Sequence, residues 1–186
     1  DITSLKGKRN VILLRNGYLK ISKKNKKTRL SNDISIGYFG LISDENHSYR
    51  DIKVIHNSLN LNNKIYFSFY GNSEIKNKII KNYQNFIFKK NISYFETQKK
   101  MKDFDYLLIL HTEKSTAKEV ITGKFYEYLS TGIPIIMISN GETEAGRLIK
   151  KYNLGYAIDY SKVSLKNFFS NLKKSKIQTK KLINLK

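Results

Sequence analysis

Seven residues separate Glu119 from Glu127 in the stretch EVITGKFYE, and Thr122, Gly123 and Lys124 lie between them. Thr is a favoured N-cap residue and Gly lets the backbone turn close to a ligand, so a helix is expected to start at Thr122. The N–H groups of residues 123 to 125, unbonded within such a helix, and its positive end would form a seat for an anion. Lys124 adds a mobile cation to that seat. Glu127 falls on the next turn, and its carboxylate is a natural bidentate acceptor for two vicinal hydroxyls such as those of ribose. Glu119, in the loop before the cap, would face the other end of the same ligand. The order of recognition is then sugar, diphosphate, ribose. Taken singly, the Thr-Gly-Lys entrance and the Gly132-Ile133-Pro134 exit are also ordinary helix cap and stop signals.

Other residues with chemical potential stand near the ends of apolar runs. Gly37 and Gly40, in GYFG, allow close backbone approach by a ligand or simply a tight turn. Tyr94 and Phe95 form an aromatic edge able to flank a base, or else belong to the core. His111, followed by Thr112 and Glu113, is either a hydrogen-bonding loop residue or a general base. Glu142, Glu144 and Arg147 open a further helix, where they contact a donor sugar or serve as solvated capping groups.

These positions need a scaffold, and the chain supplies two alternating periods. Strands are expected at residues 10–14, 34–38, 64–70, 91–95, 105–110, 134–138 and 155–158. Helices are expected at 49–59, 74–83, 97–104, 124–130, 142–152 and 164–173. Residues 105–110 are almost all apolar, as in a strand buried on both faces. Strands alternating with helices of this length imply parallel crossovers and an α/β, doubly wound, Rossmann-like parallel sheet. Ligands of such sheets bind beyond the carboxyl ends of the strands, which is where the residues above are expected.

At 186 residues and 40% hydrophobic content the chain suits one well-buried domain. With no cysteine it has no disulfide framework and no thiolate metal site, and a cytoplasmic location is expected. No apolar run approaches the roughly 20 residues that span a bilayer. The opening Asp1 and the short run at 11–14 point to a fragment without a signal peptide. A net charge of +20 must attract polyanions, although Lys is spread along the whole chain and much of the charge is simply solvated surface.

Glu119, Glu127 and the following YLSTGIPI resemble the E-x7-E and K-x-x-E-Y-x-x-x-G-x-P signatures of GT-B glycosyltransferases of family 4. ETEAGRLIKKYNLGYAI (142–158) is similar to the stretch that follows in that family, Gly37 to Gly40 to its first glycine-rich loop, and Asn16-Gly17 to the Asn-Gly that precedes this half. The resemblance covers about residues 34 to 172, the C-terminal, nucleotide-sugar-binding half of a two-domain enzyme. It implies a segment 1–33 leading from a missing N-terminal acceptor domain, a donor domain at 34–174 and a basic tail at 175–186.

The resemblance further implies a retaining transfer without a metal or other cofactor, with a nucleotide diphosphate sugar as donor. The matched roles are contact with the donor sugar for Glu119 and ribose binding for Glu127. The acceptor would be a glycan or lipid-linked, in surface polysaccharide synthesis, and the fragment alone would be inactive. The basic 164–174 helix could rest on an anionic membrane surface. Two features depart from the pattern. Arg50 is the sole candidate for the family's Arg and Lys phosphate pair, and EVITGK replaces the common E-G-F-G entrance. A nucleic-acid-binding module and a GT-B-like epimerase are the rival readings. The first explains the charge but not the spacing of Glu119 and Glu127.

Overall fold

Residues 106–110 are apolar without interruption because each side of that strand is covered. Tyr106, Leu108 and Leu110 enter one hydrophobic cluster, and Leu107 and Ile109 enter the other. The computed structural model describes residues 33–42, 50, 52–60, 64–71, 83–111 and 121–173. Its strands are β1 (Ile34–Phe39), β2 (Ile65–Tyr70), β3 (Phe86–Lys89), β4 (Tyr106–His111), β5 (Ile135–Ser139) and β6 (Gly155–Asp159). They form one sheet in the order β3-β2-β1-β4-β5-β6, with every pairing parallel. The doubly wound expectation is met, and the strand order reverses between β1 and β4.

The helices are α1 (Lys53–His56), α2 (Tyr94–Lys100), α3 (Gly123–Thr131), α4 (Glu144–Lys151) and α5 (Lys162–Asn171); a 3-10 turn, Met101–Asp103, follows α2. Ile52 before α1, Ile55 within it, and Leu165 and Phe169 of α5 pack on one face with Ile36, Tyr38, Phe67 and Phe69. Met101 and Phe104, with Phe125, Tyr128 and Leu129 of α3 and Ala145 and Ile149 of α4, pack on the other. Alternate residues of β1 feed the two layers, which is why all six of its positions are buried.

Two expected elements differ. The strand placed at 91–95 is in fact a loop running into α2, and the neighbouring strand is Phe86–Lys89. The cause is a capping box: Ser93 Oγ accepts the Glu96 N–H at 3.3 Å while Glu96 Oε2 accepts the Ser93 N–H at 3.0 Å. This reciprocal pair outweighs the strand preference of Ile92, Tyr94 and Phe95. Of the helix expected at 49–59, the described residues are helical over Lys53–His56, where Ile52 supplies no side-chain cap and the Asn57 N–H closes the turn on the Lys53 carbonyl. The strand expected at 10–14, and the helix expected at 74–83 apart from Tyr83, lie outside the described residues.

Candidate functional site

The β1–β4 register passes through Ile36 with Tyr106 and Gly37 with Leu107, whereas β4 and β5 stay paired as far as His111 with Ser139. A crevice therefore opens past the carboxyl ends of β1 and β4, at the point where the sheet changes direction. Helix α3 enters beside it. Phe125, Tyr128 and Leu129 bury one stripe of this helix against the sheet. Gly132, in the left-handed conformation at φ 69°, ends it by donating its N–H to the Leu129 carbonyl, and Pro134 follows.

At the other end of α3, Thr122 holds the N-cap position with extended backbone, but its hydroxyl makes no capping hydrogen bond. The Phe125 N–H bonds the Thr122 carbonyl at 3.0 Å, so the seat expected from residues 123 to 125 is narrower, formed by the Gly123 and Lys124 amides. Among the described residues, a Cβ on Gly123 would meet nothing within 4 Å. Helix α4 behaves differently. Thr143 Oγ1 accepts the Gly146 N–H at 3.0 Å, and Arg147 lies 2.8 Å from Glu144 and 3.9 Å from Glu142. The cap of α4 is thus Thr143, and Glu142, Glu144 and Arg147 pair with one another beside it.

Lys124 turns back across the end of β1. Its Nζ lies 3.9 Å from the centroid of the Tyr38 ring, whose hydroxyl donates to the Leu41 carbonyl at 2.7 Å. Gly40 has φ +135°, so its backbone requires glycine, and a Cβ there would stand 2.9 Å from the same Nζ, the movable tip of the lysine. The end of β2 is equally close, since a Cβ on Gly71 would fall on the Gly40 carbonyl. Burial, helped by the neighbouring Arg50 charge and opposed by Glu127, lowers the pKa of Lys124 to about 7. Two cations and one carboxylate thus converge where α3 leaves its first amides open.

Tyr128 fixes this geometry from below. Its buried hydroxyl accepts the Phe39 N–H at 3.1 Å, tying α3 to the last residue of β1, and burial holds its own pKa well above the ordinary tyrosine value. Neither Tyr38 nor Tyr128 is among the site residues expected from sequence. The signal for both is a tyrosine in an otherwise apolar pattern, whose hydroxyl must find a partner when buried.

The remaining expected residues distribute as follows. Gly37 lies inside β1, and a Cβ there would stand 2.6 Å from the Phe104 ring, so the absence of a side chain serves packing. Gly40, Thr122, Gly123, Lys124 and Glu127 come together at the crevice. His111 ends β4 at its rim, with its carbonyl accepting the Asn140 N–H at 3.1 Å. Tyr94 and Phe95, 70% and 67% exposed, sit on the first turn of α2, which follows β3, with Lys99 Nζ 4.1 Å from the Phe95 ring centroid. Glu119, Thr112 and Glu113 lie outside the described residues. Among the described residues, no three His, Asp or Glu side chains gather as metal ligands would, and no helix is long and apolar enough to cross a membrane.

An open six-stranded parallel sheet with its crevice at the β1–β4 switch defines a Rossmann-like α/β domain, and solved structures share it. A lipopolysaccharide outer core galactosyltransferase, WaaB, matches with a TM-score of 0.56 at 18% identity, over 84% of this chain and 44% of that one. HepE of Anabaena, solved in complex with UDP and glucose, matches with a TM-score of 0.53 at 13% identity, over 75% of this chain and 38% of that one. TarM matches with a TM-score of 0.51 at 18% identity, over 82% of this chain and 33% of that one. These neighbours are GT-B glycosyltransferases, and the likeness shows a common fold. The chain spans less than half the length of each. No protein-family model and no curated protein sequence matches it.

Proposed function

We propose that this chain is the donor-binding part of a retaining glycosyltransferase that moves a sugar from a nucleotide diphosphate sugar to a glycan or lipid-linked acceptor. The observation that carries the reading is the meeting of Lys124, Arg50 and the uncapped start of α3 at the switch-point crevice, with Glu127 one turn further in. The open amides and the two cations bind the diphosphate. Holding its charge as the sugar departs is the largest rate contribution such a site supplies. Glu127 accepts the ribose hydroxyls, Gly40 lets the donor approach the backbone, and Glu119 contacts the donor sugar. Tyr94 and Phe95 flank the base, and His111 lines the rim. The shared fold with HepE, solved with UDP and glucose, supports a nucleotide-sugar ligand. An acceptor domain preceding residue 34 completes the enzyme, and the +20 charge holds it on the anionic cytoplasmic face of a membrane where a polysaccharide is built.

The test is a thermal-shift series with nucleoside diphosphates and sugar nucleotides on the full chain and on Glu127→Ala. Ligand binding to the native state raises the melting temperature by mass action. Loss of charged hydrogen bonds to the ribose weakens binding by roughly thirtyfold to a hundredfold. An unchanged shift in Glu127→Ala refutes the ribose role. No shift with any nucleotide, alongside salt-sensitive binding to an oligonucleotide, refutes the whole reading.

A further inference from the structure

Lys124 belongs to α3, whose buried stripe packs on one face of the sheet, while Tyr38 is buried in the layer on the other. The lysine side chain therefore reaches over the carboxyl end of β1 to place its Nζ 3.9 Å from the Tyr38 ring centroid. Gly40 leaves room for that path, since a Cβ there would stand 2.9 Å from Nζ and 3.4 Å from Cε. The ring itself has little freedom. It is buried, it packs at a 49° tilt on Phe69 with centroids 5.9 Å apart, and its hydroxyl bonds the Leu41 carbonyl. Lys99 on Phe95 and Lys151 on Tyr152 make similar contacts, but on exposed rings, where water competes and the attraction is weaker.

We propose that Tyr38 is the positioning residue for Lys124, its fixed ring holding the lysine ammonium at the crevice ready for the diphosphate. This inference rests on the reading of the crevice as a nucleotide diphosphate site. A lysine free in solvent gives up rotamer freedom when it meets a phosphate, and that loss subtracts from binding. Here folding has already ordered the side chain, so more of its attraction reaches the ligand. The choice of an aromatic face also matters. A ring attracts an ammonium through its quadrupole without carrying a counter-charge, whereas a carboxylate in the same place would neutralise the cation that the phosphates need.

The test is made on the full chain at pH 6, below the Lys124 pKa of about 7, so that the amine carries its proton. Calorimetry measures binding of pyrophosphate, UDP, ADP and GDP. NMR of lysines labelled at the ε-carbon reads Lys124 without ligand, its signal assigned by its absence in Lys124→Met. Tyr38→Leu is expected to weaken the bound probes by about twofold to thirtyfold, and Tyr38→Phe to restore most of that loss. In the Lys124→Met background Tyr38→Leu should have no further effect. Fluorinated phenylalanines at position 38 keep the shape of the ring and withdraw its electrons, so affinity should fall stepwise with fluorine number even if the leucine variant folds poorly. The ring-current shift of the Lys124 ε-signal should be present in the parent and in Tyr38→Phe and lost in Tyr38→Leu. No such shift in the parent, unchanged affinity across the fluorinated series, or an equal loss in the Lys124→Met background overturns the proposal and leaves the nucleotide site standing. A parent chain that binds none of the four probes refutes the site itself, and the role of Tyr38 with it.

Discussion

Lys124 rests with its Nζ 3.9 Å from the Tyr38 ring centroid, folded over the end of the strand it serves rather than extended into solvent. Burial chiefly, and Arg50 beside it, hold its pKa at about 7, against 10.5 for a free lysine. In the unfolded chain the amine keeps its proton through that interval, while in the folded chain it loses it. The unfolded state therefore binds more protons between about pH 7 and 10.5, and Lys124 makes stability rise with pH there, by about 1.4 kcal/mol per pH unit. Urea titrations at pH 7, 8 and 9 on the parent and on Lys124→Met check this, because the variant should lack that slope. An anion in the crevice favours the charged amine. Nucleoside diphosphate binding should accordingly take up a proton at pH 8 and weaken as pH rises above 7. Calorimetry in buffers of different ionisation enthalpy measures that uptake, and equal uptake in Lys124→Met would exclude Lys124 as its source.

The Tyr128 hydroxyl makes a separable contribution. Tyr128→Phe keeps the ring in its buried place but leaves the Phe39 N–H without its 3.1 Å acceptor. A buried unpaired backbone donor costs about 1–3 kcal/mol, which urea denaturation resolves directly. Because the lost bond ties α3 to β1, nucleotide affinity should fall as well, in a variant that touches no ligand. A stability loss below about 0.5 kcal/mol would show that water or another group replaces the hydroxyl.

The alternation of strands and helices was legible because each element keeps one period and β4 is apolar throughout. The start of α3 was legible, since Thr122, Gly123 and Lys124 are local signals read from neighbouring residues. What sequence could not supply depends on distant partners. The Tyr128 hydroxyl is explained only by Phe39, 89 residues away. Gly37 looks like a ligand-loop glycine until the Phe104 ring is seen against it. The 91–95 segment misled because its aromatic and β-branched residues favour a strand, while the deciding contact is the capping pair Ser93 and Glu96.

Gly37 and Gly123 should respond oppositely to the same change. Gly37→Ala puts a methyl 2.6–2.9 Å from three atoms of Phe104, inside a buried strand, and overpacking of this kind costs about 1–3 kcal/mol. Gly123→Ala meets nothing within 4 Å and sits in the first turn of α3, where alanine is the better helix former by up to about 1 kcal/mol. Thermal melts of the two variants should shift in opposite directions. A destabilised Gly123→Ala would mean that the space beside Gly123 is filled.

The crevice also depends on what holds β1 and β4 together at their other ends. Asp105 Oδ2 accepts both the Ser35 N–H at 2.9 Å and the Ser35 hydroxyl at 2.8 Å, and the Asp105 N–H returns to the Ser35 carbonyl at 2.9 Å. This clasp sits just before the short register of Ile36 with Tyr106 and Gly37 with Leu107, after which the strands part. Asp105→Ala removes the acceptor from a half-buried backbone donor and should lower stability by about 1–3 kcal/mol. Asp105→Asn retains one oxygen and should recover part of that loss. Because the clasp lies at the opposite end of the strands from Gly40 and Lys124, nucleotide affinity measured below the melting range should stay near the parent value in both variants. A fall in affinity matching the fall in stability would show that the crevice width is set from this end of the sheet.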